Sequence, residues 1–113
     1  MSWRALGMRT WILQRLTAVY MLLYLIGFSI VLLRHPAFDF ASWRTLFTSV
    51  ASNIATDLFF FSLLFHAWVG IRDILIDYVH ASSIRLLLWI IITLGIIALG
   101  IWVSMILYSV VVL

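Results

Sequence analysis

The chain has 113 residues, of which 66% are hydrophobic and 10% are charged, and its mean hydropathy is +1.23. Soluble domains are about 45–50% apolar and about 25% charged, so this composition leaves too few polar side chains to cover a water-facing surface. It excludes a soluble monomer, a disordered chain and a nucleic-acid-binding domain, the last because the seven arginines are scattered along the sequence.

The length and the missing cysteines limit the remaining classes. Without cysteine the chain cannot form a disulfide, a thiolate metal site, an iron–sulfur cluster or a covalently attached c-type haem. A helix that crosses a bilayer needs about 20 apolar residues, so three crossings nearly fill the chain. We therefore expect an all-α integral membrane protein with three transmembrane helices in one domain, residues 1–113.

Three apolar runs predict the crossings, at residues 11–33, 54–76 and 84–112. A signal peptide has an apolar region of about 7–15 residues and then a cleavage site, so the longer first run is predicted to be a retained helix. Pro36 ends it, because proline disfavours helix in the residue before it. Residues 34–53 mix aromatic and polar side chains, which is typical of a segment in the headgroup region.

The later helices carry start and packing signals. Ser52 and Asn53 are predicted to cap the second helix, with Asp57 near its positive end. Residues 77–83 are predicted to form a short polar connection. The third helix has a row of small residues suited to packing against another helix, namely Thr93, Gly100 and Ser104.

The arginines predict the orientation. Five of them lie near the N-terminus or near the second connection, and two lie near the first connection: Arg4, Arg9, Arg15, Arg72 and Arg85 against Arg34 and Arg44. Because cytoplasmic loops are enriched in basic residues, the N-terminus is predicted to be cytoplasmic and the C-terminus periplasmic. In a bacterium the membrane would be the inner one.

The second helix carries a polar stripe. At about 100° per residue, four other residues fall on the side of the helix that carries His66: Ser62, Gly70, Asp73 and Asp77. Ionisable groups inside a membrane are costly and usually face a protein interior, a cofactor or a water path. One chain with three helices can hardly enclose this stripe, so a partner subunit is expected.

From the helix alone, two interpretations of His66 stay open. Imidazole is a good ligand for haem iron, and a b-type haem between helices needs one histidine from each side. Gly70, one turn away, would leave room for a flat macrocycle. Alternatively, His66 hydrogen-bonds a neighbouring helix and only helps the helices to pack.

The residues near the cytoplasmic interface have similar alternatives. Asp77 and Tyr78 can hydrogen-bond a quinone and pass it a proton, or they can be ordinary interfacial residues. Arg15 is either a topology determinant or a partner for an anionic group such as a haem propionate, and Arg9 has the same two interpretations.

The segment from His66 to Tyr78, HAWVGIRDILIDY, resembles one family closely. With Gln14-Arg15-Leu16-Thr17-Ala18 opening the first helix and Arg85 opening the third, it is similar to the smaller hydrophobic membrane anchor, the D-type subunit, of bacterial succinate dehydrogenase, respiratory complex II. The resemblance covers essentially the whole chain. It implies that the three helices form half of a two-subunit anchor bundle with a cytoplasmic N-terminus.

The resemblance also implies cofactors and roles. His66 matches an axial ligand of haem b, whose second ligand comes from a companion, C-type anchor subunit. Arg15, and less regularly Arg9, match residues near the haem propionates. Tyr78 matches the tyrosine that hydrogen-bonds the ubiquinone carbonyl, and Asp77 is its neighbour. Iron–sulfur and flavoprotein subunits would dock on the cytoplasmic side, so this chain would be a subunit outside the catalytic core, with no catalytic residue of its own.

Other functions stay open at this point. A fumarate reductase anchor runs the same chemistry in reverse, and a small proton-coupled transporter would use the stripe as a proton path. Transporters often have internal repeats or interrupted helices, and the second helix has neither. A purely structural anchor without a cofactor is a further alternative.

Overall fold

A computed structural model describes the backbone of residues 3–35 and 39–112, and side chains from residue 7 onward. Its elements are all helices, and the described residues contain no strand, which confirms the all-α prediction. In chain order they are α1 (Trp3–Arg34), α2 (Phe40–Thr45), α3 (Val50–Tyr78) and α4 (Ser82–Val112).

Three of the helices can cross a membrane. The apolar segments are Gly7–Arg34, Val50–Tyr78 and Ser82–Val112, and each exceeds the about 20 residues that a bilayer requires. Most of their large apolar side chains are exposed, including Leu23 and Trp102, each at 62%. Exposure of so much apolar surface to water is unfavourable, so lipid or partner subunits must cover it.

The central helix is α3, which contacts α1 and α4 on opposite sides. The α1 contacts reach Ala55 and His66, which are eleven positions apart and therefore on one face. The α4 contacts reach Asp57 and Trp68, which are also eleven positions apart. Ala55 and Asp57 differ by about 200° around the helix, so the three helices form an open layer.

Polar contacts connect the helices. On the α1 side, Tyr20 donates to the Ala55 carbonyl at 2.6 Å and Tyr24 hydrogen-bonds Thr56 at 2.7 Å. On the α4 side, the predicted small-residue row is confirmed by its contacts: the Trp68 indole N–H donates to Thr93, Ser104 donates to Asp57, and Gly100 lies against Phe61.

The start of α3 differs from the prediction. Its N-cap position is Ser49, so Ser52 and Asn53 are wrong as caps and instead lie in the first turns. Their side chains hold the preceding connection, because Ser52 donates to the Leu46 carbonyl and Asn53 donates to that of Phe47 at 2.9 Å.

The earlier start of α3 also removes Asp57 from the first turn, where no acidic residue lies. The prediction that Asp57 favours the positive end of this helix is therefore wrong. Its carboxylate accepts instead from the Ser104 hydroxyl of α4, at 3.2 Å to each oxygen.

The three long helices extend beyond the predicted apolar runs, because a helix can continue into the polar sequence at a membrane edge. The first helix ends at Arg34, just before Pro36, which lies outside the described residues. The second connection is shorter than the predicted 77–83, since α3 continues through Tyr78 and α4 begins at Ser82. Within 34–53, the short helix α2 begins after Asp39, whose carboxylate accepts from the Ser42 amide at 2.7 Å.

Candidate functional site

The polar stripe of α3 lies on an unbroken helix that extends to Tyr78. The angular alignment expected from the sequence depends on that continuity, because a kink before Asp77 would rotate the carboxylates away from His66. The contacts of α1 with Ala55 and His66 are on the same face. The stripe therefore lies on the α1 side of α3, opposite α4.

His66 has two different ring nitrogens in this arrangement. Nδ1 is buried and has no hydrogen-bond partner. Nε2 is not one of the buried atoms without a partner, and it forms no hydrogen bond with the described residues, so it reaches the chain surface. A neutral imidazole with one protonated nitrogen can present the other as a ligand, and Nε2 is the nitrogen that an incoming group can reach.

Gln14 of α1 contacts the backbone at the same place. Its amide Nε2 donates to the His66 carbonyl at 3.5 Å, the long limit of a hydrogen bond, while its Oε1 is buried without a partner. A buried amide oxygen and a buried imidazole nitrogen, both unpaired, thus lie at one contact between α1 and α3. Buried polar atoms normally have partners, so this part of the helix pair is incomplete without further groups.

Gly70 leaves an open space beside His66. A Cβ at this glycine would have nothing within 4 Å, whereas a Cβ at Gly100, on the packed side, would lie 3.1 Å from Phe61 Cε1. Among the described residues, no side chain packs directly against Gly70. The face one turn from His66 is therefore accessible to a flat group.

These observations fit a haem held from one side by this chain. The described residues contain no group of three or more metal-ligating side chains. Haem iron needs only one axial nitrogen from each side, and His66 presents one beside an uncovered glycine. The donor and the adjacent space thus suit a b-type haem.

The far end of the stripe is open. Tyr78 is the last residue of α3 and is 77% exposed, and Asp77 is also exposed. Neither side chain forms a hydrogen bond or an ion pair with the part of the chain that the structure describes. A hydroxyl donor and a carboxylate are therefore both exposed at the end of α3, where a ligand or a partner chain can contact them.

Two arginines of α1, Arg9 and Arg15, lie in the part of that helix that runs alongside the second half of α3. The antiparallel register set by Gln14 with His66 puts Arg15 near the level of His66, and puts Arg9 nearly two turns nearer to the Tyr78 end of α3. Arg15 is exposed, with its guanidinium 5.2 Å from the centre of the Trp11 ring, and Arg9 is exposed as well. Both cations are thus available to an anionic group.

The sequence did not predict the contacts that three polar side chains make with other helices. In the sequence, Gln14 is only part of a motif at the start of the first helix. The partners of Asn53 and Asp57 on α4 lie 54 and 47 residues away. The available signal was polarity alone, because each is a polar side chain in or next to an apolar run.

Comparisons with known proteins agree with this architecture. A family profile described as "Succinate dehydrogenase/Fumarate reductase transmembrane subunit" matches residues 1–101. The succinate dehydrogenase hydrophobic membrane anchor subunit of Coxiella burnetii is 34% identical over 96 residues, which cover 85% of this chain and 84% of that protein. The multi-pass helical chain with a histidine-bearing central helix belongs to the succinate dehydrogenase/fumarate reductase transmembrane subunit family.

Proposed function

We propose that this chain is the hydrophobic membrane-anchor subunit of a succinate dehydrogenase. It pairs with a second, C-type anchor subunit and holds the iron–sulfur and flavoprotein subunits at the membrane. Succinate is oxidised on the flavoprotein, so this chain is part of the enzyme without belonging to its catalytic core. The family membership supports this function, and the exposed apolar faces of all three long helices support the need for a second anchor.

His66 is the proposed axial ligand of haem b from this chain. The observation that carries this assignment is the accessible Nε2 of His66 next to the uncovered Gly70. Bound haem b supplies a one-electron redox centre. Arg15, and Arg9 nearer the membrane edge, would pair with its propionates, since guanidinium groups form charge-assisted hydrogen bonds with carboxylates.

Tyr78 and Asp77 are the proposed contribution to the ubiquinone site. Reduction of a quinone to a quinol takes two electrons, which arrive through the iron–sulfur subunit, and two protons. Tyr78 would donate its hydroxyl hydrogen bond to a quinone carbonyl, which fixes and polarises that oxygen. Asp77 would orient this hydroxyl or relay protons from the aqueous side. The exposure of both side chains at the end of α3 supports this assignment.

The distribution of arginines supports a bacterial inner membrane location with the N-terminus and the connection between α3 and α4 in the cytoplasm. The quinone site and the docked subunits would then lie on the cytoplasmic side. A fumarate reductase anchor is the second candidate, because the matching family includes both directions of the reaction. A transporter is disfavoured by the unbroken α3, since transport sites commonly lie at interrupted helices.

The test is a reduced-minus-oxidised absorbance spectrum of the detergent-purified assembly, comparing wild type with His66→Ala. His80→Ala is the matched control, because His80 is exposed in the connection between α3 and α4. We expect a b-type signal in wild type and in the control, and a lost or shifted signal in His66→Ala. An unchanged signal in His66→Ala would place the ligand elsewhere, and a wild-type assembly without haem would leave a purely structural anchor.

A further inference from the structure

A cavity lies on the α4 side of α3, at the end of the bundle where α3 leads into α4. It has a volume of about 380 Å³, and its polar lining residues are Arg72, Ser82 and Arg85. The stripe of His66 and Asp77 takes no part in it. Arg72 is about 120° from His66 around the helix, so the cavity faces α4 rather than α1.

The cavity is cationic and incompletely paired. Its lining residues, all of them described, include two arginines and no carboxylate. Arg72 Nε is buried without a hydrogen-bond partner, and the side chain pairs only with its neighbour Asp73, at 3.4 Å and largely exposed. Such an exposed pair is weak, and Arg85 has no ion pair within residues 3–35 and 39–112. Within the described residues, Arg85 thus has no anionic partner and Arg72 has a weak one, so the cavity can accept a further anion.

The rest of the lining is apolar and opens towards the membrane. It consists of Leu75, Ile76, Leu86 and Trp89, of which Ile76 is 53% exposed and Leu86 is 59% exposed. Arg85 is three residues into α4 and Arg72 is six residues from the end of α3, which places both near the headgroup level. Two cations next to an apolar lining suit an amphiphile with an anionic head group. The carboxylate of a soluble partner would leave the apolar part of the cavity unfilled.

We propose that this cavity is a binding site for an anionic phospholipid. Arg72 and Arg85 hold the lipid phosphate, Ser82 contributes a hydroxyl donor, and the acyl chains run along Leu86 and Trp89. Basic pockets between transmembrane helices bind anionic headgroups for the same electrostatic reason. The proposal rests on the membrane-spanning fold alone and does not depend on haem or quinone binding.

The experiment is a native mass-spectrometry titration of the delipidated, purified complex with phosphatidylglycerol or phosphatidylcholine. The variants are Arg72→Gln, Arg85→Gln and the double variant. The matched control is Arg34→Gln with Arg44→Gln, which removes the same charge near the opposite end of the helices. We expect the affinity for the most tightly bound phosphatidylglycerol to fall about fivefold for each cavity arginine that is replaced. One arginine near an anionic surface contributes about that factor. Phosphatidylcholine binding and the control should not change.

Three outcomes would overturn the proposal. Phosphatidylglycerol affinity that is unchanged in the single variants leaves the arginines without a lipid role, and these variants decide the question if the double variant does not assemble. Inorganic phosphate that competes fully with phosphatidylglycerol indicates a simple anion site. Loss of the soluble subunits from the double variant, with lipid binding intact, indicates that a partner protein covers the cavity. Arg72→Lys with Arg85→Lys should retain most of the lipid affinity.

Discussion

Gly70 offers a direct test of the proposed haem face, because no described side chain packs against this glycine. A Cβ there meets no atom of the described residues within 4 Å, so the side chain of Gly70→Leu starts in open space beside α3. Leucine also has a higher helix propensity than glycine, by about 0.5–1 kcal/mol. The substitution should therefore leave α3 intact or slightly stabilised.

The effect on a cofactor has the opposite sign. Extra side-chain atoms forced into a close-packed contact cost about 1–3 kcal/mol. If the macrocycle lies against Gly70, this cost weakens haem binding by about 5- to 150-fold, since each 1.4 kcal/mol is about tenfold. A purified assembly with Gly70→Leu should therefore lose haem while it keeps its amount in the membrane.

The assay is the ratio of haem, measured as pyridine haemochrome, to the assembled complex. Gly95→Leu is the matched control, because Gly95 on α4 is equally open, with nothing within 4 Å of its Cβ position. Haem content should fall in Gly70→Leu and stay normal in Gly95→Leu. Full haem content in Gly70→Leu would refute the assignment of this face, and equal loss in both variants would show that the effect is not local.

The remaining predictions concern the quinone site, helix packing and pH. Tyr78→Phe should strongly reduce quinone reduction while succinate oxidation by a soluble dye persists, and unchanged quinone kinetics would remove Tyr78 from the site. Asn53→Leu should destabilise the packed helices by about 1–3 kcal/mol, because the buried amide of Asn53 donates to the carbonyls of Phe47 and Leu107. Ser109→Ala loses only a bond within its own helix and should leave the stability unchanged. Thermal unfolding in detergent measures the stability of both variants. Hydrogen bonds from the Ser42 hydroxyl and then its backbone N–H lower the pKa of Asp39, so the cap of α2 is stabilised above the ordinary aspartate pKa of about 4 and is lost as the pH falls through the lowered value. The Ser42 amide resonance should report this titration in wild type and not in Asp39→Asn.

Local features of the fold were predictable because they depend on hydropathy and on helix period. Apolar runs of membrane length form helices in lipid whatever surrounds them, since backbone hydrogen bonds must be satisfied within the segment. The alignment of His66 with Asp77 needed only an unbroken α3. The errors came at helix ends, where Ser52 and Asn53 resembled caps although the helix starts at Val50. Polar residues near an end can cap a helix or tie its connection, and local sequence does not distinguish the two.

The sequence by itself determined the three crossings, the end of α1 near Pro36 and the alignment of His66, Asp73 and Asp77 on one face of α3. Only the tertiary structure decided that α1 lies on that face and α4 on the opposite one. It also decided that Gln14, 52 residues away, meets His66 and that Arg72 and Arg85 share one cavity. The physical reason is that burial in lipid favours any apolar helix equally, so the choice of neighbours depends on close packing and on hydrogen bonds between distant residues.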